Sequence, residues 1–182
     1  MVDGIVRRAV FLDRDGVLNA SVIRQGKPYP PDSLRELKIL PGVADALRKL
    51  SAAGFINIVV TNQPDVGTGR QQVDIVRSMH EHLRAELSID DVKVCYHTDD
   101  EKCDCRKPSP GMLLEAAKQH DLDLRQCFLV GDRWRDIAAG QAAGCACFFL
   151  DYGYREKRPQ KPYVAVESLS QAVALILPNH NS

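Results

Sequence analysis

Apolar residues along this chain gather in short runs separated by amphipathic stretches, and the two patterns alternate. The first run, Ala-Val-Phe-Leu at 9–12, has no polar residue to give it a solvent face, so it predicts a strand buried on both sides. Further runs predict strands at 55–60, 92–96, 127–130 and 146–150. Between them, apolar positions recur at helical spacing over about 43–53, 71–87, 110–120, 135–143 and 169–177, with Gly54 and Gly144 placed as C-terminal caps. Two stretches resist either pattern. Residues 19–41 contain Pro28, Pro30 and Pro31 and read as a long irregular loop, and a shorter loop carries Gly67 and Gly69. Strands alternating with helices in this way predict βαβ units with right-handed crossovers, hence an α/β fold with a doubly wound parallel sheet in a three-layer αβα sandwich. The length of 182 residues suits one domain spanning 1–182.

Parallel strands bring the residues that follow each of them to one edge of the sheet, where open α/β folds bind ligands. By that rule Asp13 and Asp15, Thr61 and Asn62, Arg106 and Lys107, and Asp132 converge on one pocket. Asp13-Arg14-Asp15-Gly16 opens the set: the glycine lets the chain turn sharply, and two carboxylates one residue apart repel unless a divalent cation lies between them. Taken singly, these residues have plain structural explanations. Asp and Gly are ordinary turn residues, Thr61 suits a helix cap, and Lys107 suits a solvated charge.

A second cluster, Cys95-x-His97-x5-Cys103-x-Cys105, offers three thiolates and an imidazole. That donor set closes a tetrahedral zinc site and leaves no open position, which makes its expected role structural. It lies immediately before Arg106 and Lys107, where a metal clamp would hold both at the pocket mouth. The alternative is a set of reduced thiols in a loop. Cys127, Cys145 and Cys147 fall in or beside strand patterns and read as small buried hydrophobes.

Charge narrows the function classes. Lys and Arg number 24 and Asp and Glu 24, so no global field draws the chain to nucleic acid or to an anionic membrane, and phosphate recognition has to be local. Residues 1–8 carry no apolar signal core, and no stretch approaches the roughly 20 apolar residues of a membrane span. The expectation is a cytoplasmic monomer with no membrane or nucleic-acid partner. The basic stretch at 155–161 reads as a solvated linker.

Four motifs in order, Asp13-Arg14-Asp15-Gly16-Val17, Val60-Thr61-Asn62-Gln63, Arg106-Lys107-Pro108 and Val130-Gly131-Asp132 followed by Asp136, resemble the haloacid dehalogenase (HAD) superfamily of phosphatases. The resemblance covers about residues 8–150. The combination of Asp-Arg-Asp-Gly, Thr-Asn-Gln and Cys-Asp-Cys-Arg-Lys-Pro is similar to the subgroup of D-glycero-D-manno-heptose 1,7-bisphosphate and histidinol-phosphate phosphatases. It implies a Rossmann-like HAD core and magnesium-dependent hydrolysis of a small phosphorylated metabolite through an aspartyl-phosphate. Asp13 is then the nucleophile and Asp15 the general acid and base, with magnesium held by Asp13, the Asp15 carbonyl and Asp132. Thr61, Asn62, Arg106 and Lys107 bind phosphate or substrate, and Asp136 steadies the metal ligands. The related phosphatases also bind zinc through the same Cys-x-His and Cys-x-Cys pair.

The chain departs from the heptose enzymes at 21–31 and at 64–70, and neither residues 19–41 nor the Cys/His loop is large enough to form a cap domain. An open pocket suits a polar phosphoester with two anionic ends, so the leading substrate is a heptose 1,7-bisphosphate, with Arg106 and either Arg24 or Lys27 on the second anion. Histidinol phosphate or another small metabolite is the alternative. A nucleic-acid 3′-phosphatase is disfavoured by the zero net charge, and a non-catalytic zinc-stabilised module by the intact set of acids.

Overall fold

The run at 9–12 becomes the middle of β1 (Arg8–Leu12), a strand whose last four residues are buried. The computed structural model describes residues 7–177. Ala9 and Phe11 face one apolar cluster while Val10 and Leu12 face another, as the period-2 geometry of a strand requires when both faces are covered. Helices α1 (Val43–Ala52), α3 (Val73–Glu86) and α6 (Leu169–Ile176) supply the cluster that holds Val10 and Leu12, through Leu47, Leu50, Met79, Leu83 and Val173. Helices α4 (Gly111–His120) and α5 (Trp134–Ala143) supply the other through Met112, Leu113 and Ile137. The result is a three-layer αβα sandwich.

The sheet has six strands, all parallel, in the order β5 (Asp91–Cys95), β4 (Phe55–Asn62), β1, β6 (Phe128–Gly131), β7 (Ala146–Leu150) and β8 (Val164–Val166). From β1 the chain builds outward on one side through β4 and β5, then crosses to the other side for β6, β7 and β8. The switch point therefore lies at the carboxyl end of β1, where such sheets leave a crevice.

Three stretches differ from the sequence-based expectation. Residues 19–41 are not wholly irregular: β2 (Val22–Arg24) and β3 (Lys27–Tyr29) form an antiparallel hairpin, and a 3-10 turn spans Leu34–Glu36. Gln25 and Gly26 both take positive φ, the two-residue turn that matches strand twist, and the alternation around it is too short to stand out from the prolines. The stretch after β4 contains a single helical turn, α2 (Pro64–Gly67), with proline at a position that needs no amide hydrogen. Strand β8 escaped because it is a three-residue edge strand with only Val166 buried. Among the described residues no helix is long and apolar enough to cross a membrane, and no cap domain is inserted between β1 and α1. The reading of 1–8 as lacking a signal core falls mostly on residues 1–6, outside the described residues.

Candidate active site

At the end of β1 the Asp13 amide still bonds to the Val130 carbonyl at 3.0 Å, which fixes the carboxylate beside β6. Gly16 then turns the chain with φ +87°, and a Cβ there would lie 2.0 Å from Asp132 Oδ2, so only glycine lets the turn come this close. Lys107 arrives from the loop before α4 and is 2% exposed. Its Nζ donates to Asp13 Oδ1 at 2.9 Å, Asp136 Oδ1 at 2.6 Å and the Val60 carbonyl at 2.7 Å. Asn62 clasps the Lys107 backbone with both ends of its amide, donating to the carbonyl at 3.0 Å and accepting from the amide at 3.1 Å. Both polar ends of Asn62 are thus spent on placing Lys107.

Carboxylates of Asp13, Asp132 and Asp136 lie within 4.8 Å of one another, and all three residues are buried. Burial, with the charges of Asp136 and Asp15 adding to it, pushes the Asp13 carboxyl up to about 6 against the pull of Lys107. Asp132 is raised well above the carboxylate range by burial and by the two neighbouring acids. Lys107 is held above its usual range because Asp13 and Asp136 outweigh the burial that disfavours its charge. Three buried carboxylates therefore face one buried ammonium, an imbalance that a divalent cation removes. Their free valences differ. Asp136 uses Oδ1 on Lys107 and Oδ2 on the Arg133 amide at 3.0 Å, whereas Asp132 Oδ1 is buried with no hydrogen-bond partner.

Asp15 is tied more tightly than its sequence position suggests. Fully buried Arg14 grips it from Nε at 3.1 Å and Nη2 at 3.0 Å, Asn19 Nδ2 donates at 2.9 Å, and Gln63 Nε2 donates at 2.8 Å. Arg14 Nη1 also donates to His80 on α3 at 3.2 Å, and burial beside that guanidinium pulls the imidazole down to about 4. Thr61, 1% exposed, accepts from the same Gln63 amide at 3.0 Å. The sequence reading did not single out Arg14, Asn19, Gln63 or His80. Gln63, as the third residue of Thr-Asn-Gln, and Arg14, as the second of Asp-Arg-Asp-Gly, lay within the motifs, whereas Asn19 and His80 carried no signal.

Asp13, Asp15, Asn62, Lys107, Asp132 and Asp136 line a cleft of about 260 Å³ that also includes Tyr29, Asp99, Arg106, Arg133 and Arg135, while Thr61 lies behind its wall. Arg106 reaches Asp99 at 2.8 Å and the His97 carbonyl at 3.2 Å, and Arg135 meets the same Asp99 oxygen at 3.2 Å. Arg24 and Lys27, expected on a second anion, do not line the cleft. Arg24 pairs with Asp32 at 2.7 Å and lies over the Tyr29 ring, so the cationic wall comes from Arg133 and Arg135 instead. The stretch at 155–161 is largely exposed, as a solvated linker would be, but it is tethered: Glu156 pairs with Arg133, Lys157 lies over Trp134 and Arg158 bonds Asp151. Those partners, unseen in a local charge count, hold it against the pocket.

The Cys/His set closes in space. Cys105 Sγ stands 2.9 Å from Cys95 Sγ, 3.6 Å from Cys103 Sγ and 3.2 Å from His97 Nδ1, and all four donor atoms fall within 4.8 Å of one another. Donor type and convergence fit a closed metal site. By contrast Cys127, Cys145 and Cys147 are buried among apolar side chains, and burial pushes the Cys147 thiol up to about 12.

A HAD-hydrolase-like family profile matches residues 104–172. The chain is 38% identical over 154 residues to a D-glycero-beta-D-manno-heptose-1,7-bisphosphate 7-phosphatase of Rhodopseudomonas palustris, covering 78% of this chain and 82% of the relative. A D-glycero-alpha-D-manno-heptose-1,7-bisphosphate 7-phosphatase of Mycobacterium bovis is 37% identical, with 79% and 78% covered. The crystal structure of a D,D-heptose 1,7-bisphosphate phosphatase from B. bronchiseptica, complexed with magnesium and phosphate, superposes with a TM-score of 0.77 at 27% identity, covering 94% of this chain and 98% of that one.

Proposed function

The chain belongs to the HAD-like phosphatases, and from that premise we propose that it removes a phosphate from a heptose 1,7-bisphosphate, with Asp13 as nucleophile. The observation that carries this reading is the convergence of Asp13 and Asp132 from two strand ends, Asp136 from the first turn of α5 and Lys107 from the loop before α4 onto one buried cluster. Asp13, Asp132 and the Asp15 carbonyl would hold magnesium, and the unpartnered Asp132 Oδ1 together with the surplus of buried negative charge fits that assignment. When bound, the ion would neutralise the phosphoryl group and the nucleophile so that the two anions approach.

The residues divide the work by what they touch. Asp13 attacks phosphorus through a carboxylate oxygen, the ester P–O bond breaks, and the leaving sugar oxygen takes a proton from Asp15. Water then attacks the aspartyl-phosphate, Asp15 takes the proton back, and inorganic phosphate and the Asp13 carboxylate are released. Lys107, charged and fixed by Asn62, is placed to bind a phosphoryl oxygen as negative charge redistributes, with Thr61 as a hydroxyl donor. Arg14, Asn19 and Gln63 orient the Asp15 carboxylate between the two steps. Arg106 faces the substrate from the mouth of the cleft, and zinc on Cys95, His97, Cys103 and Cys105 would fix the loop that carries it.

Phosphate release is to be measured with magnesium across both anomers of heptose 1,7-bisphosphate, histidinol phosphate, other sugar phosphates and nucleotides. One heptose anomer should have the highest kcat/KM. Faster turnover of histidinol phosphate than of both anomers would reassign the substrate and leave the chemistry standing.

A further inference from the structure

Residues 151–158 run beside the cleft without lining it, and one of their side chains reaches a carboxylate of the acid cluster. The Tyr154 hydroxyl donates to Asp132 Oδ2 at 2.8 Å. Its ring stacks on Tyr152 with centroids 5.6 Å apart, and the Tyr152 hydroxyl donates to the Gly16 carbonyl at 2.9 Å. The Arg155 amide bonds the Gly26 carbonyl at 3.0 Å, and Glu156 bonds Arg133 Nε at 2.9 Å. The ring is therefore held in place, and beside Asp132 the hydroxyl has only the Ser21 side chain within reach among the described residues. Asp132 Oδ2 is boxed by that hydroxyl on one side and by the close approach of Gly16 on the other, while Oδ1 remains buried and unpaired.

A carboxylate on a short side chain rotates unless one oxygen is anchored. We propose that Tyr154 is a positioning residue whose hydroxyl anchors Asp132 Oδ2 and thereby leaves Oδ1 as the oxygen presented to magnesium. The inference rests on the metal reading above and adds a residue to it. It also gives a role to the contacts that hold the segment after β7 beside Asp132. A tyrosine that only filled space would need its ring and its stacking partner; the hydroxyl contact to Asp132 is what a positioning role adds.

The test compares the parent protein with Tyr154→Phe, which keeps the ring and removes the donor. Magnesium is titrated against each by calorimetry and by the fluorescence of Trp134, which lies two residues after Asp132. The dissociation constant should weaken by about 10- to 100-fold, the usual cost of losing a partner behind a metal ligand. Saturating magnesium should restore kcat, and KM for the phosphoester should stay at the parental value. Arg158→Gln, which cuts the ion pair to Asp151 within the same segment, should leave magnesium affinity unchanged. Parental affinity in Tyr154→Phe overturns the proposal. So does an equal loss in Arg158→Gln, which would assign the effect to the segment as a whole. Absence of magnesium binding in the parent itself would instead reject the metal reading on which the proposal stands.

Discussion

Asp13 is a carboxylate held in an expensive place. It is 7% exposed, crowded by Asp136 and Asp15, and balanced directly only by Lys107. Replacing it with Asn keeps the shape and relieves part of the crowding, and Lys107 retains Asp136 at 2.6 Å. Asp13→Asn should therefore unfold at the parental temperature or above while phosphate release drops by roughly 10⁴-fold or more, as when a nucleophile is removed from a preorganised site. Magnesium-dependent hydrolysis surviving in that variant would remove Asp13 from the role given to it. The acids, Lys107 and Arg106 were visible in the sequence because each follows a strand. Arg14 was visible as a motif residue, but its inward turn was not, and His80 was not visible at all, since nothing local marks a helix imidazole that meets a guanidinium 66 positions away.

That buried pair has its own pH signature. His80 is 8% exposed and its folded pKa lies near 4, below the ordinary value near 6.5 that the unfolded chain restores. Between those values the unfolded chain binds the extra proton, so the contribution is fully present above about pH 6.5 and is lost as pH falls toward 4. The loss is at most about 3 kcal/mol for a shift of this size. In His80→Asn, which keeps an acceptor for Arg14 and has nothing to protonate, urea unfolding from pH 7 to pH 4 should show a shallower decline than the parent. Parallel declines would mean that His80 does not carry this proton linkage.

The loop between β5 and α4 shows what an element without a core of its own requires. From His97 to Cys103 its residues are partly or fully exposed, and it has no apolar run to bury. Order there depends on the four convergent donors and on Gly111, whose amide bonds the Asp104 carbonyl at 2.9 Å and where an added Cβ would lie 2.1 Å from that oxygen. Cys103→Ser should lower the zinc content measured by elemental analysis, and thermal stability should fall because zinc binding and loop folding share one free energy. KM should rise more than kcat falls, since Arg106 is carried by this loop while Asp13 is not. Equal zinc in variant and parent would count against the site. Cysteine spacing made this element legible, whereas hairpin β2–β3 and strand β8 were hidden because three-residue strands give too few positions for a period to show.

Across the molecule, the topology does the gathering and the core does the holding, and the two are separable. Strand order places the switch point at β1, so the acids and Lys107 converge whatever the exact packing behind them. Stability is drawn from the two apolar layers and from a few buried polar ties within them. Asn57, in the middle of β4 and fully buried, is such a tie. Its Nδ2 reaches the Leu47 carbonyl at 3.0 Å, Ser51 Oγ at 3.0 Å and the Ser88 carbonyl at 2.8 Å, joining β4 to α1 and to the turn after α3. In the sequence it looked like a polar interruption of an apolar run, and only the fold supplies its partners. Asn57→Ala leaves those acceptors short of a donor and opens a small void, which together should cost about 2–4 kcal/mol in urea unfolding. None of these contacts touches the cleft, so kcat and KM measured well below the unfolding transition should stay at parental values. A loss of kcat in the folded variant would show that catalysis depends on the packing of this layer, and the separation between gathering and holding would fail.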